Sequence, residues 1–186
     1  MKKNKIFFYA SLVILALVVF GACGCGYTSR SCIYPTGTNI AIRPFANKIN
    51  ISDETSEHRR LISYFPLLET KVTNAVVDRF ILDGNLKVSR LDNADLILEG
   101  EITRYQRDAL QYSENNEDVK EYRVTIFVTI SLRDAGTDKI VWQESNFAGD
   151  ATYYSQGSLA KSETSAVESA ISDLSRRIVE RVVESW

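Results

Sequence analysis

The stretch from Tyr122 to Leu132 constrains the fold of this chain more than any other. Tyr122, Val124, Ile126, Val128, Ile130 and Leu132 alternate with Arg123, Thr125, Phe127, Thr129 and Ser131. A sustained period of two describes a strand with one face buried and the other wet. Asp134-Ala135-Gly136-Thr137 supplies a hairpin turn after it, and Lys139 to Thr152 returns with Ile140, Val141, Trp142 and Phe147. Before it, Asp95 to Arg107 sets Leu96, Leu98 and Ile102 on one face and Glu99, Glu101 and Thr103 on the other. These three strands form a meander whose apolar face needs a cover.

The flanking segments provide that cover. Asn39 to Phe45 alternates as a short strand, with Ile40, Ile42 and Pro44 on one side. Pro44 donates no hydrogen bond, which suits a strand end or an edge. Asn47 to Arg60 is polar and charged and reads as a loop. A helix begins near Pro66, with Leu68, Val72, Ala75, Val76 and Phe80 on one face, and Asp83-Gly84 ends it. Leu86 to Leu91 is a brief strand, which the intervening helix makes parallel to the first. A last helix is expected to open after Gly157 with Ser158 as its cap, and its stripe runs Ala160, Thr164, Val167, Ile171, Leu174, Ile178 and Val182. The expected fold is α/β (α+β), a two-layer sandwich of order β-α-β-β-β-β-α. A mixed four- to five-stranded sheet carries two helices on one face.

Residues 1–24 have the layout of a secretory signal peptide. Lys2, Lys3 and Lys5 precede an apolar run from Ile6 to Ala22, and Cys23 and Cys25 stand among small residues where cleavage should occur. A membrane span usually needs ~20 apolar residues, so this run is short for one. A cysteine at the end of such a leader reads as an acylation site. Cys25 has Gly24 and Ala22 at the favoured small positions, and Cys23 has Ala22 and Gly21. Either one anchors the chain through several acyl chains, each buried methylene adding ~0.8 kcal/mol. No aspartate follows either cysteine, which favours the outer membrane. Residues 25–37 then form the anchor and tether, and 38–186 a single domain. Cys32 is left without a mature partner if Cys25 is acylated, and is able to pair with Cys25 if Cys23 is.

The sequence argues against enzyme chemistry. The 186-residue chain carries a formal charge of −2 from 22 basic and 24 acidic side chains. Removing the three leader lysines leaves 19 basic residues and a charge of −5, which gives no electrostatic footprint for nucleic acid. The one histidine, His58, stands among charged residues and reads as solvated. Ser158-Leu159-Ala160-Lys161 spells S-x-x-K, yet the companion elements of penicillin-interacting enzymes are missing. Glu99 and Glu101 share a wet strand face with no base or nucleophile beside them. The acidic stretch Glu114-Asn115-Asn116-Glu117-Asp118 lacks the glycine and terminal glutamate of a calcium loop and reads as a hairpin tip. No metal-ligand spacing, phosphate loop or cofactor motif is found.

Several segments taken together resemble the LptE family of lipopolysaccharide-assembly lipoproteins. They are Cys25-Gly26-Tyr27, Ile40 to Asn47, Leu98-Glu99-Gly100-Glu101-Ile102, Glu121-Tyr122-Arg123-Val124, Val141-Trp142-Gln143-Glu144 and Phe147 to Tyr153. The resemblance favours Cys25 as the lipidated residue, because the family's cysteine directly precedes glycine and an aromatic residue. It implies a lipid-anchored protein of the outer membrane, facing the periplasm, that plugs an LptD-like β-barrel and contacts lipopolysaccharide. Lys161 matches one lipid-contact position, and Lys120 is the cation available at the second, in a loop that is acidic here. Segment Ile40 to Asn47 also resembles the first strand of periplasmic lipoproteins that activate peptidoglycan synthases or build secretion pores. Tyr105, Tyr112, Phe127, Tyr153 and Tyr154 are expected to supply aromatic surface for a protein partner.

Overall fold

The computed structural model describes residues 33–49, 65–113 and 118–184. Cys23, Cys25, Cys32 and His58, most of the loop expected between Asn47 and Arg60, and Glu114 to Glu117 lie outside the described residues.

The first strand is shared between two short pieces, β1 (Asn39–Ile42) and β2 (Ala46–Asn47). Helix α1 (Leu68–Asp83), β3 (Lys87–Val88) and a 3-10 turn at Leu91–Asn93 follow. Three long strands complete the sheet: β4 (Leu96–Tyr112), β5 (Val119–Asp134) and β6 (Ile140–Tyr154). Helix α2 (Glu163–Val183) closes the described chain. The sheet runs β3-β1-β4-β5-β6, with β2 also paired to β4. β1 is parallel to both β3 and β4, and the β4-β5-β6 meander is antiparallel. This is the expected mixed sheet, with β2 as an additional short strand. The brief strand expected over Leu86 to Leu91 is reduced to two residues.

The break between β1 and β2 places an aromatic anchor. Arg43 donates its backbone N–H to the Leu98 carbonyl and Lys48 to that of Ile102, so both pieces follow β4. Between them Pro44 withdraws from the ladder, as its missing donor requires. Phe45 turns into the core and is held by its N–H bond to Thr73 Oγ1 at 2.9 Å. Its ring occupies the space above Gly100, where a Cβ would stand 2.1 Å from the nearest ring carbon. The small residue in Leu98-Glu99-Gly100-Glu101-Ile102 is thus a seat for Phe45.

Helix α1 buries Leu68, Val72, Val76 and Phe80 and ends at Gly84, whose φ of 72° allows its N–H to reach the Phe80 carbonyl. The last helix departs from expectation. Residues Ser158 and Leu159 form a turn, and α2 starts five residues later than its expected cap. Ser162 is the cap, its side chain accepting from the Ser165 N–H at 3.2 Å. Gly157 at φ 90° permits the turn that delays the helix. Consequently Ala160 and Thr164 lie outside the buried stripe, which begins at Ala166 and Val167.

Both helices lie against the inner face of the sheet, where Val124, Ile126, Val128, Ile130 and Leu132 are fully buried. At Gly149 the approach is closest: an added Cβ would stand 2.5 Å from the backbone nitrogen and Cα of Leu174. Glycine there lets α2 settle directly on β6.

Candidate functional site

A bulge in β4 decides which side chains meet at the far end of the sheet. Ile102 pairs with Val128, but Arg104 pairs with Phe127, so Thr103 is an extra residue. Such an insertion reverses the inward and outward alternation beyond it. Tyr105 and Arg107, which a regular strand would leave on the open face, turn toward the helices opposite Ile126 and Val124. Tyr105 is 2% exposed and Tyr153 6%. These two residues, expected to supply interface surface, are core residues. Phe127 remains on the open face beneath the Arg104 guanidinium, 3.8 Å from its ring centroid.

The reoriented residues converge on the start of α2. Glu163 accepts from Tyr105 Oη at 2.7 Å and from Arg107 Nη1 at 2.6 Å. Arg107 lies over the Tyr122 ring at 4.9 Å, and Tyr122 stacks on Tyr153 at 5.5 Å between centroids. Burial, reinforced by the hydrogen bond and charge of Glu163, pushes the Tyr105 hydroxyl well above the ordinary tyrosine range. Burial, followed by the charge of Glu163, also raises Tyr153. Burial opposes the Arg107 charge, but Glu163 and Tyr153 together outweigh it and the guanidinium stays above its usual value. Nothing in the sequence marked Arg107 or Glu163, because the bulge that brings them together leaves no pattern.

Beyond this latch the two sequence-selected lysines come to the same end of the domain. The Ser155 N–H donates to the Lys120 carbonyl at 2.9 Å, and the Lys161 N–H donates to the Tyr154 carbonyl at 2.8 Å. Ala160 bridges in parallel to Tyr154, which folds residues 155–160 back along the end of β6. Lys161 is exposed and stands one residue before the Ser162 cap, a correction to its expected place in the first helical turn. Among the described residues neither lysine side chain makes an ion pair. Leu110, Tyr112, Tyr154 and Leu159 are exposed at this end, so the cations stand beside apolar surface. Asp118 and Glu121 add negative charge to the same region.

The open face of the sheet is a different kind of surface. A shallow depression of about 450 Å³ is lined by Arg43, Glu99, Thr129, Ser131, Arg133 and Gln143, among others. Its charges are internally matched: Glu99 pairs with Arg43 at 2.6 Å and with Arg133 at 3.5 Å. Glu99 and Glu101 therefore do not form a poised carboxylate pair, and Ser158 and Lys161 do not share a helix turn. Among the described residues, no cluster of histidine, cysteine or acidic side chains is arranged to hold a metal ion. No described helix is long and apolar enough to cross a membrane.

The family model for LptE, described as lipopolysaccharide-assembly, matches residues 38–185, which is the whole described domain apart from its first residues. The chain belongs to the LptE family. No curated protein matches its sequence. Among solved structures, it is similar to protein XCC0632 from Xanthomonas campestris, with a TM-score of 0.51 at 12% identity, covering 83% of this chain and 86% of that one. Hypothetical protein CT253 from Chlamydia trachomatis gives a TM-score of 0.50 at 15% identity, covering 79% and 96%. The rare lipoprotein B from Shewanella oneidensis gives 0.41 at 15% identity, covering 78% and 90%. At such identities the first two likenesses speak for the fold of this LptE-family domain and for nothing finer.

Proposed function

We propose that this LptE-family protein is acylated at Cys25 and held at the outer membrane, facing the periplasm. There it plugs an LptD-like β-barrel and assists the assembly of lipopolysaccharide, without enzyme activity of its own. The observation that carries this reading is the family match across residues 38–185. The fold is compatible with it. A long twisted sheet with one ion-paired open face offers a protein partner a firm, largely polar surface. Of the five aromatics expected to supply interface surface, Tyr112, Phe127 and Tyr154 lie outside the core. Extraction of the outer membrane in mild detergent should recover the protein in a stable one-to-one complex with a large barrel. Recovery of peptidoglycan synthases, with no barrel, would transfer the reading to the periplasmic activators that Ile40 to Asn47 also resembles.

The lipid contact belongs to the end that carries Lys120 and Lys161. Lipopolysaccharide presents phosphates beside acyl chains, and this end presents ammonium groups beside Leu110, Tyr112, Tyr154 and Leu159. Lys161 is exposed and Lys120 half-buried, so each charge-assisted contact is worth the low end of its range. Lys120→Glu combined with Lys161→Glu is expected to weaken lipopolysaccharide binding roughly tenfold, or ~1.4 kcal/mol, with circular dichroism and melting unchanged. Equal binding by the double variant would remove both lysines from the contact.

A further inference from the structure

Among the described residues, the exposed large apolar side chains other than Leu67, which precedes α1, lie toward the two ends of the long axis, and the topology identifies which end is which. β4 and β6 start at one end and run to the other, the short β1 and β3 point the same way from that first end, and β5 returns, as do α1 and α2. The far end holds the β4-β5 turn and the start of α2, with Leu110, Tyr112, Tyr154 and Leu159. The near end holds the last turn of α1, the Leu91–Asn93 turn and the start of β6. There Ile33, Ile81, Leu82, Leu91, Ile140 and Val141 are exposed, Leu82 at 79%. One exposed leucine means little, but a concentration of this kind at one end marks a contact surface.

The described chain also begins at that near end. Ile33 donates its N–H to the carbonyl of Val183, in the final turn of α2, and Thr38 accepts from Lys87 at the start of β3. Seven residues separate Cys25 from Ile33, and the eight steps between them reach at most about 29 Å at full extension. The 17 residues of β4 span roughly 56 Å. With Cys25 acylated, Ile33 can stand no farther than about 29 Å from the bilayer, so the near end is the one within reach of the anchor.

We infer that the near end of the domain is a membrane-contacting surface, with Ile81, Leu82 and Leu91 resting in the interfacial layer of the leaflet that holds the anchor. The inference rests on acylation at Cys25. Its occupant is a zwitterionic phospholipid surface, because Lys87, Arg90 and Lys139 are exposed there together with Asp83, Asp92, Asp95 and Asp138, and the slight acidic excess disfavours an anionic one. Amphipathic surfaces of this kind sink into the headgroup and acyl boundary without spanning it. The near end then serves as the foot of the protein, and the lysine-bearing far end points away from the leaflet.

Spin labels on the full-length acylated protein test this. Leu82→Cys and Leu159→Cys are each labelled in a Cys32→Ser background and reconstituted into phosphatidylethanolamine-rich vesicles. Both positions are exposed, so the label fits either fold-neutrally, and unchanged melting checks it; Leu91→Cys serves as the second near-end site. Flotation with the vesicles reads the anchor independently of the labels. The expected result is co-flotation, with residue 82 gaining collisions with oxygen and losing collisions with a water-soluble nickel chelate by several-fold, and residue 159 remaining water-like. A water-like signal at 82 and 91 in floating protein would overturn the inference while leaving the anchor intact. Equal immersion of 82 and 159 would overturn the orientation. Failure to float would reject the anchor, and the foot with it.

Discussion

Gly149→Ala is expected to cost about 3 kcal/mol of stability, the upper part of the usual range for forcing an extra methyl into a packed interior. The methyl would stand 2.5 Å from the nitrogen, Cα and Cβ of Leu174, and two of those atoms belong to a helix backbone that cannot rotate aside. Relief requires moving α2 away from β6, which would loosen Ala170, Ile171, Leu174 and Ile178 together. For a domain of this size the melting temperature should fall by roughly 6–12 °C. Gly100→Ala makes a useful comparison, since the obstructing atoms there are the Phe45 ring and not backbone. It should destabilise by a smaller margin, with Phe45 displaced. Gly136 is a control: a Cβ there meets only Asp134 Oδ1 at 3.6 Å, an ordinary contact. Melting of Gly149→Ala within a degree or two of the unsubstituted protein would show that the helix does not sit that close to the strand.

The two glycines also explain what sequence reading recovers and what it misses. Period-two alternation over Tyr122 to Leu132 identified the inner face of β5 residue for residue, because a half-buried strand writes its environment directly into its sequence. The face of α1 was equally legible at Leu68, Val72, Val76 and Phe80. The start of α2 was not. Ser158 and Ser162 are both acceptable caps, and the choice falls to Ser162 because residues 155–160 turn back onto Tyr154, a tertiary event. The bulge at Thr103 was hidden for a related reason. A single inserted residue changes no composition, yet it sends Tyr105 and Arg107 to the opposite face from the one simple alternation assigns. Two of the five aromatics read as interface surface were misplaced: Tyr105 by that reversal, and Tyr153 because it stacks on Tyr122 under the same cluster.

The candidate site was legible in part. Lys161 and Lys120 were found through the family resemblance, and the fold places their backbones one hydrogen bond from the adjacent residues Tyr154 and Ser155. What the sequence did not disclose is the group that holds this end in shape. The Glu163 latch joins the β4-β5 hairpin to the first turn of α2, the two elements that carry the lysines to either side. The lipid contact proposed for this end draws on two distant segments and would need such a tie, since a drift of the hairpin would separate its cations from its apolar residues.

Glu163→Ala should therefore be the most damaging polar substitution among the described residues, and it should act on stability before function. It leaves Arg107 and the Tyr105 hydroxyl without their acceptor, while Arg107 Nε already lacks a hydrogen-bond partner. Breaking a fully buried pair costs 3–5 kcal/mol; here the side chains of Arg107 and Glu163 are 20% and 25% exposed, and water lowers the expectation to about 2 kcal/mol. Urea unfolding at neutral pH measures it, and an unchanged midpoint would show that the three groups are not mutually dependent. The tyrosines give the same cluster an alkaline signature. Below pH 10 Tyr105 is protonated in both the folded and unfolded chain, so its contribution is fully present. Above that value the unfolded chain releases the proton while the folded chain, with its raised pKa, retains it. Stability must then fall as pH climbs past 10, and Tyr153, shifted in the same direction, steepens the fall. Tyr105→Phe should flatten this alkaline loss while costing some stability at neutral pH through the lost bond to Glu163. An alkaline slope that is identical with and without the Tyr105 hydroxyl would mean that its proton is not held by burial and Glu163.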